Sequence, residues 1–412
     1  MKLKFDNQDE FAHLYPEVIK VDNLNADYEI NWWKIDQTIS ELAYLTHGFF
    51  RYYGKFPPTI VSYLINKYPC PTGGCLLDNF AGSGTSLVEA SRNNIPSVGI
   101  DINPLACLAG KVKTTLYSPK KLHKDLIKIQ ETFNNKDVKN DYSLAPNQDF
   151  LEKWFFNESC DDIIRIKSVL VYLGDTIERD FFTLAFLAVI RRLSKAYDGE
   201  VRPHLNKNKK MKDPLSFFIK KATEMIQTIE QMLDESISTI PAETILADSR
   251  TDYTNQLKKR NYWLVVSHPP YLNCFDYIPV FKLELEWAQT GFDFIWNGEN
   301  SKSIRNMELK SWPAKDNLIN SYYEGLKESY EIVHRLQVQG NKLAIVIGDC
   351  TINKVLEPVH KKLIGIVEKI GYKLIELNYR TTSYSTGKYA YKNRADYESS
   401  EKRDAIMIFE KK

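Results

Sequence analysis

Residues 76–104, LLDNFAGSGTSLVEASRNNIPSVGIDINP, decide the fold. The apolar run ending at Asp78 reads as a strand, FAGSGT as a tight turn through Gly82, Ser83 and Gly84, and the stretch from about Thr85 as a helix. Glycine reaches backbone angles that side chains resist, and it lets the chain approach a ligand closely. A second strand, SVGID (97–101), ends in Asp101, 23 residues after Asp78, where a βαβ unit sets an acid beside a ribose. Such a turn also serves plain helix–strand packing. It departs from GxGxxG, lacking the third glycine that permits close packing against a pyrophosphate, so a nucleoside cofactor without phosphates is expected here rather than a dinucleotide.

Outward from this unit, short apolar runs alternate with helical patterns, the mark of a mostly parallel sheet covered by helices. Seven strands are expected: 75–80, 97–101, 244–248, 263–268, 342–349, 373–379 and 404–410. The last two are joined by a polar segment without helical periodicity, so they are expected to pair antiparallel. Far more chain lies between the second and third strands than a crossover needs. RDFFTLAFLAVIRRL (179–193) and DPLSFFIKKATEMIQTIEQML (213–233) make that insertion helical, with the basic, turn-rich YDGEVRPHLNKNKKMKD between them. The expected fold is α/β, a seven-stranded mixed sheet with the last strand antiparallel and a helical insertion at 115–240 between sheet-forming parts at 1–114 and 241–412.

Composition sets the outer limits. With 412 residues, 43% hydrophobic and 26% charged, the chain has the profile of a globular protein with a large core. The balance of 55 basic against 53 acidic residues neither demands nor excludes a nucleic-acid partner, which must be sought in local patches. MKLKFDNQDE has no apolar core of signal-peptide length and no window approaches 18 apolar residues, so a cytoplasmic protein without membrane contact is expected. The six cysteines read as reduced thiols, and neither they nor the seven histidines fall at metal-ligand spacing, so no metal is expected.

The fourth expected strand runs into His268-Pro269-Pro270-Tyr271. Proline carries no amide hydrogen and biases the preceding residue toward extended geometry, so the strand leaves through a stiff segment whose carbonyls stay free to accept hydrogen bonds. A rigid end to a buried strand is the plain reading. An aromatic ring beside fixed acceptors also suits a planar base with an exocyclic amine: the ring of Tyr271 stacks, and a carbonyl such as that of Pro269 accepts from the amine.

Together, FAGSGT and HPPY resemble motifs I and IV of the S-adenosylmethionine-dependent amino-methyltransferases that act on DNA, whose second motif is [DNS]PP[YFW]. THGFFRYYGKFPPTIVSYLI (46–65) looks like the family's N-terminal cofactor segment, with Lys55, Phe56 and Pro57 at its heart. ILADSR (245–250) looks like the strand whose terminal acid contacts adenine, which assigns Asp248 and Ser249. The resemblance covers roughly 46–114 and 241–412. It implies a Rossmann-like class I methyltransferase fold and S-adenosylmethionine held by Lys55, Phe56, Pro57, Asp78, Phe80, Ala81, Gly82, Ser83, Gly84, Thr85, Asp101, Ile102, Asp248 and Ser249. It implies catalysis at His268, Pro269, Pro270 and Tyr271, on a nucleotide rotated out of duplex DNA. Positioning is then the main catalytic device, because the leaving thioether is neutral.

The order of the motifs, with the long segment between them, implies target recognition by 115–240, and a restriction endonuclease as the partner in such a system. Arg191, Arg192, Lys195, Arg202, His204, Lys207, Lys209, Lys210 and Lys212 are the candidate phosphate contacts, although such a run also makes an ordinary solvated face. NSKSIRNMELKSW (300–312) reads equally as a lid over the flipped base and as a surface loop. One departure stands out: His268 occupies the position of Asp, Asn or Ser. A neutral imidazole can accept from the amine, and the following LNCFDY is closer to SPPY members, which favours N4 of cytosine slightly over N6 of adenine. Two rivals remain, methylation of guanine N2 in RNA or a protein amide, and a catalytically silent subunit that binds cofactor and DNA.

Overall fold

The computed structural model describes residues 13, 15–21, 27–35, 41–237, 239–381 and 403–412. The opening residues 1–12 and the connection between the last two strands (382–402) lie outside them. Eleven strands are described: β1 Glu17–Val21, β2 Glu29–Lys34, β3 Gly74–Asp78, β4 Ser97–Asp101, β5 Glu243–Leu246, β6 Asn261–Ser267, β7 Lys342–Gly348, β8 Cys350–Ile352, β9 Val355–Glu357, β10 Tyr372–Thr381 and β11 Arg403–Lys411. Nine form one sheet in the order β1-β2-β10-β11-β7-β6-β3-β4-β5, and β8-β9 is a separate hairpin.

All seven expected strands are present, and β11 runs antiparallel to both its neighbours, β7 and β10. The sheet has nine strands rather than seven because β2 adds parallel to β10, with β1 antiparallel outside it. EINWWK carries too weak a strand signal to be read from sequence, although Trp33 buries fully against Tyr63, 4.7 Å between ring centroids.

Side chains alternate between the two faces of a strand, and the core follows that period of two. Leu76, Leu264, Val266, Ala344, Val346 and Ile406 face the helix Pro58–Lys67, which begins on the proline of the KFPP segment. Leu77, Val265, Leu343, Ile345, Ile347 and Met407 face the helices Asp316–Leu336 and Val359–Ile370.

The 115–240 segment is helical, with Pro119–Asn134, Gln148–Trp154, Asn157–Val171, Ile177–Leu193 and Pro214–Asp234. It does not bury a core of its own. Its helices share one cluster with Leu105 to Val112 and with Ile278 to Ile304, so position 240 is a boundary in sequence but not in packing. Helix Ile177–Leu193 is buried nearly all round rather than along one face.

The chain order along the sheet reverses between β3 and β6. From β3 it proceeds outward through β4 to β5, and β6 then starts the other half on β3's opposite side, pairing parallel with Asp78 opposite Val266. In open α/β sheets this switch point opens a crevice at the carboxyl ends of the strands. The residues that follow Asp78 and Ser267 are therefore delivered to the same crevice by topology alone.

Candidate active site

A cleft opens at that position. Of the residues expected to hold a cofactor, Lys55, Phe56, Phe80, Ala81, Gly82, Ser83, Thr85, Asp101, Ile102, Asp248 and Ser249 line it, and so do His268 and Pro270. Pro57, Asp78, Gly84, Pro269 and Tyr271 do not line it.

Two of these absences have a clear cause. Asp78 is buried, accepting from Phe80 N–H at 3.0 Å and from the Ser86 hydroxyl, and burial pushes its carboxyl up to about 7. It braces the turn from beneath. Gly84 sits at φ +79 where a Cβ would come 2.8 Å from Gly110 Cα, so its lack of a side chain lets helix Pro104–Thr114 approach.

The turn is tied to the next strand through Asp101. One carboxylate oxygen accepts Gly82 N–H and the other Asn103 N–H, both at 2.8 Å. Burial raises this carboxyl to about 6. Lys113, buried from the opposite side, donates to the Ser83 carbonyl at 2.8 Å. Within the lining, Asn79 Oδ1 and Ser83 Oγ are buried without a hydrogen-bond partner among the described residues. An unsatisfied buried polar atom costs about 1 to 3 kcal/mol, which a polar ligand in the cleft relieves. The mixture of apolar walls, acids at two strand ends and unspent polar atoms fits a nucleoside bearing an amino-acid tail, S-adenosylmethionine among them.

His268 is half-buried between two rings: Phe56 at 5.0 Å and Tyr271 at 5.2 Å, both centroid to centroid. Its Nε2 lies 3.2 Å from the Tyr271 hydroxyl. Burial first, and the charge of Arg380 second, push its pKa down to about 3. The imidazole is thus neutral at physiological pH. The carbonyl of Pro270 is taken by the buried Tyr322 hydroxyl at 2.6 Å and that of Tyr271 by Cys274 N–H at 3.2 Å. Among the described residues nothing donates to the carbonyl of Pro269. The stiff segment expected from HPPY therefore keeps one of these carbonyls unspent.

No protein-family model matches the chain. Over 302 residues it is 26% identical to Type II methyltransferase M.MvaI of Kocuria varians, covering 68% of this chain and 65% of the relative. Over 333 residues it is 24% identical to Type II methyltransferase M.BsoBI of Geobacillus stearothermophilus, covering 72% and 63%. A stretch of 81 residues is 42% identical to Type II methyltransferase M.MjaII of Methanocaldococcus jannaschii, 20% of this chain and 15% of the relative. By sequence, this chain is similar to these three type II methyltransferases. It spans less than two thirds of the length of each of these three. Among solved structures, rRNA methyltransferase aviRa of Streptomyces viridochromogenes is 11% identical over 87% of this chain and 86% of its own, with a TM-score of 0.34, too loose a likeness to argue from.

The structure divides the basic run expected to contact phosphates. Arg191 and Lys209 must be removed from the set. Arg191 is buried, its guanidinium 3.1 Å from Glu284, bonded to the Tyr53 hydroxyl and to the carbonyls of Glu200, Val201 and Val280. Lys209 spends its ammonium on the carbonyls of Arg191 and Ala196 and on Asp198. Both cations staple the loop to the body, since a buried charge must be paired. Lys195 and Lys212 are half-buried, the first donating to the Glu152 carbonyl and the second paired with Asp198. Arg192, Lys207 and Lys210 are exposed without an acidic partner among the described residues, and half-buried Arg202 lies over the Trp312 ring.

The 300–312 stretch, read from sequence as a lid or a surface loop, is partly helical. Ser301–Met307 is a helix with a capping box at Asn300, and Glu308 then accepts Ile278 N–H at 2.8 Å. Met307, Glu308 and Leu309 line the cleft. Two further lining residues, Tyr52 and Tyr277, are not among those expected from sequence. The Tyr52 ring lies where a Cβ on Gly82 would come to 3.2 Å, and the Tyr277 hydroxyl lies over Gly54. Their signal is the aromatic pairing inside RYYGK and CFDY, which only the folded cleft brings together.

The raised carboxyl of Asp101 gives a testable pH dependence. For an Asp101 that receives ribose hydroxyls the ionised carboxylate is the stronger acceptor, so cofactor affinity is expected to be full above pH 7 and to fall as pH drops through about 6. Calorimetric titration with the demethylated cofactor across that range checks it. Asp101→Asn is expected to bind weakly at every pH, with the pH dependence gone.

Proposed function

We propose that the chain transfers the methyl group of S-adenosylmethionine to an exocyclic amine of a base in double-stranded DNA. The observation that carries this reading is that the turn after β3, Asp101 after β4, Asp248 after β5 and, from the HPPY segment after β6, His268 and Pro270 meet in one cleft at the switch point. The kinship with type II methyltransferases supports it.

The bound cofactor supplies an electrophilic sulfonium methyl. Asp101 would hold the ribose, Asp248 the adenine, and Gly82 and Ser83 the amino-acid tail. The Pro269 carbonyl and the neutral His268 accept hydrogens of the target amine, drawing its lone pair out of conjugation and aiming it at the methyl; once the nitrogen is methylated its surplus proton leaves to water, since neither acceptor retains it. Tyr271 stacks on the base. Alignment does most of the catalysis. N4 of cytosine is the favoured target, residues 115–240 take part in recognition, and a restriction endonuclease of the same specificity is the implied partner in the cytoplasm.

Tritium transfer from labelled cofactor to duplex DNA, RNA and protein in parallel tests this reading. Duplex DNA alone should become labelled. Label in RNA indicates the guanine N2 reaction, and binding of cofactor and duplex without transfer indicates a silent subunit. Sequencing DNA from an expressing host then locates the modified base. If Lys207 and Lys210 meet phosphates, Lys207→Ala with Lys210→Ala lowers the slope of log affinity against log salt by about 2, each contact releasing roughly one counterion.

A further inference from the structure

Trp312 is 42% exposed, whereas Trp33, Trp154, Trp263, Trp287 and Trp296 are buried. Its position is fixed by backbone. Asn273, two residues past the HPPY segment and at φ +56, donates its N–H to the Ser311 carbonyl at 2.7 Å and accepts Ala314 N–H at 3.2 Å. Ser311 adds bonds to the Phe275 carbonyl and the Asp276 carboxylate, each at 3.2 Å. The indole is therefore mounted directly on the loop that carries the reactive edge.

The other side of the mount comes from the basic loop. Arg202 lies with its guanidinium 4.4 Å from the Trp312 ring, and exposed Lys207 and Lys210 follow in the same loop. A large apolar ring exposed to solvent, with a guanidinium over it, complements a flat π surface flanked by negative charge. A nucleic-acid base beside its phosphates has both.

Resting on the reading above, we propose that Trp312, backed by Arg202, is a stacking platform for a base of the duplex next to the extruded nucleotide. It holds open the gap that rotation of the target leaves, while Arg202 meets the adjoining phosphate. It joins the reactive edge to the recognition segment at the surface.

The test uses the full chain and a duplex carrying the site found by sequencing the host DNA. Trp312→Ala should weaken duplex binding on the order of tenfold, the loss typical of one stacked base, and Trp312→Phe should recover most of it. Affinity for the demethylated cofactor should not change in either variant. The emission lost between wild type and Trp312→Phe should be quenched when duplex is added. Wild-type duplex affinity in Trp312→Ala, with methylation intact, overturns the platform and leaves the methyltransferase reading standing. A wild-type protein that neither binds nor methylates duplex overturns both. If Trp312→Ala fails to fold, the phenylalanine variant and its quenching decide the matter alone.

Discussion

Replacing His268 with alanine is expected to slow methyl transfer on the order of a hundredfold, with affinity for the demethylated cofactor nearly unchanged. The size is that of removing one preorganised hydrogen bond aimed at charge that develops in the transition state. The ring packs between Phe56 and Tyr271 and is neutral, with a pKa pushed down to about 3. Two consequences separate an acceptor from a base. The rate should show no titration assignable to His268 between pH 5 and 8, and His268→Ser, which keeps an acceptor oxygen, should retain much of the activity. Single-turnover rates for the three proteins decide it. Full activity in the alanine variant would remove His268 from the mechanism and leave the Pro269 carbonyl as the acceptor.

The second large effect is structural. Gly84→Val is expected to abolish cofactor binding and to destabilise the protein by about 3 kcal/mol or more. A left-handed backbone costs an L-residue about 1 to 2 kcal/mol, and forcing atoms into a packed interior about 1 to 3 more. Both costs apply at Gly84, where φ is +79 and a Cβ would meet Gly110 Cα at 2.8 Å, backbone that cannot swing aside. Gly73 is the control: its φ is +75, but a Cβ there meets nothing within 4 Å. Gly73→Ala should cost only about 1 kcal/mol and leave cofactor affinity intact. Denaturant melts and cofactor titrations of the two variants make the comparison.

Much of this arrangement is legible in the sequence, because patterns that belong to one segment survive folding: the apolar runs of β3, β6 and β7, the glycine turn with Asp101 after it, and the stiff HPPY exit. What escapes depends on partners distant in the chain. Arg191 resembles one more surface cation because its neighbours Arg192 and Lys195 are polar too. Its burial is set by Tyr53 and Glu284, whose positions no local pattern encodes. Strand β2 escapes because only Trp33 and Asn31 bury deeply, too few to give a clean alternation, and its register comes from β10 at the other end of the chain. The cleft's Tyr52 and Tyr277 escape for the same reason, and so does the tether from Asn273 that turns 308–314 from a loop into a wall.

Whether the cofactor and the HPPY segment share one cleft is settled by a crystal structure with the demethylated cofactor bound. Its adenine should lie beside Asp248, its ribose on Asp101 and its sulfur directed across the cleft toward His268 and the Pro269 carbonyl. A nucleoside bound elsewhere on the chain, or one in this cleft whose sulfur points away from the HPPY segment, would refute the shared site and the methyl transfer built on it.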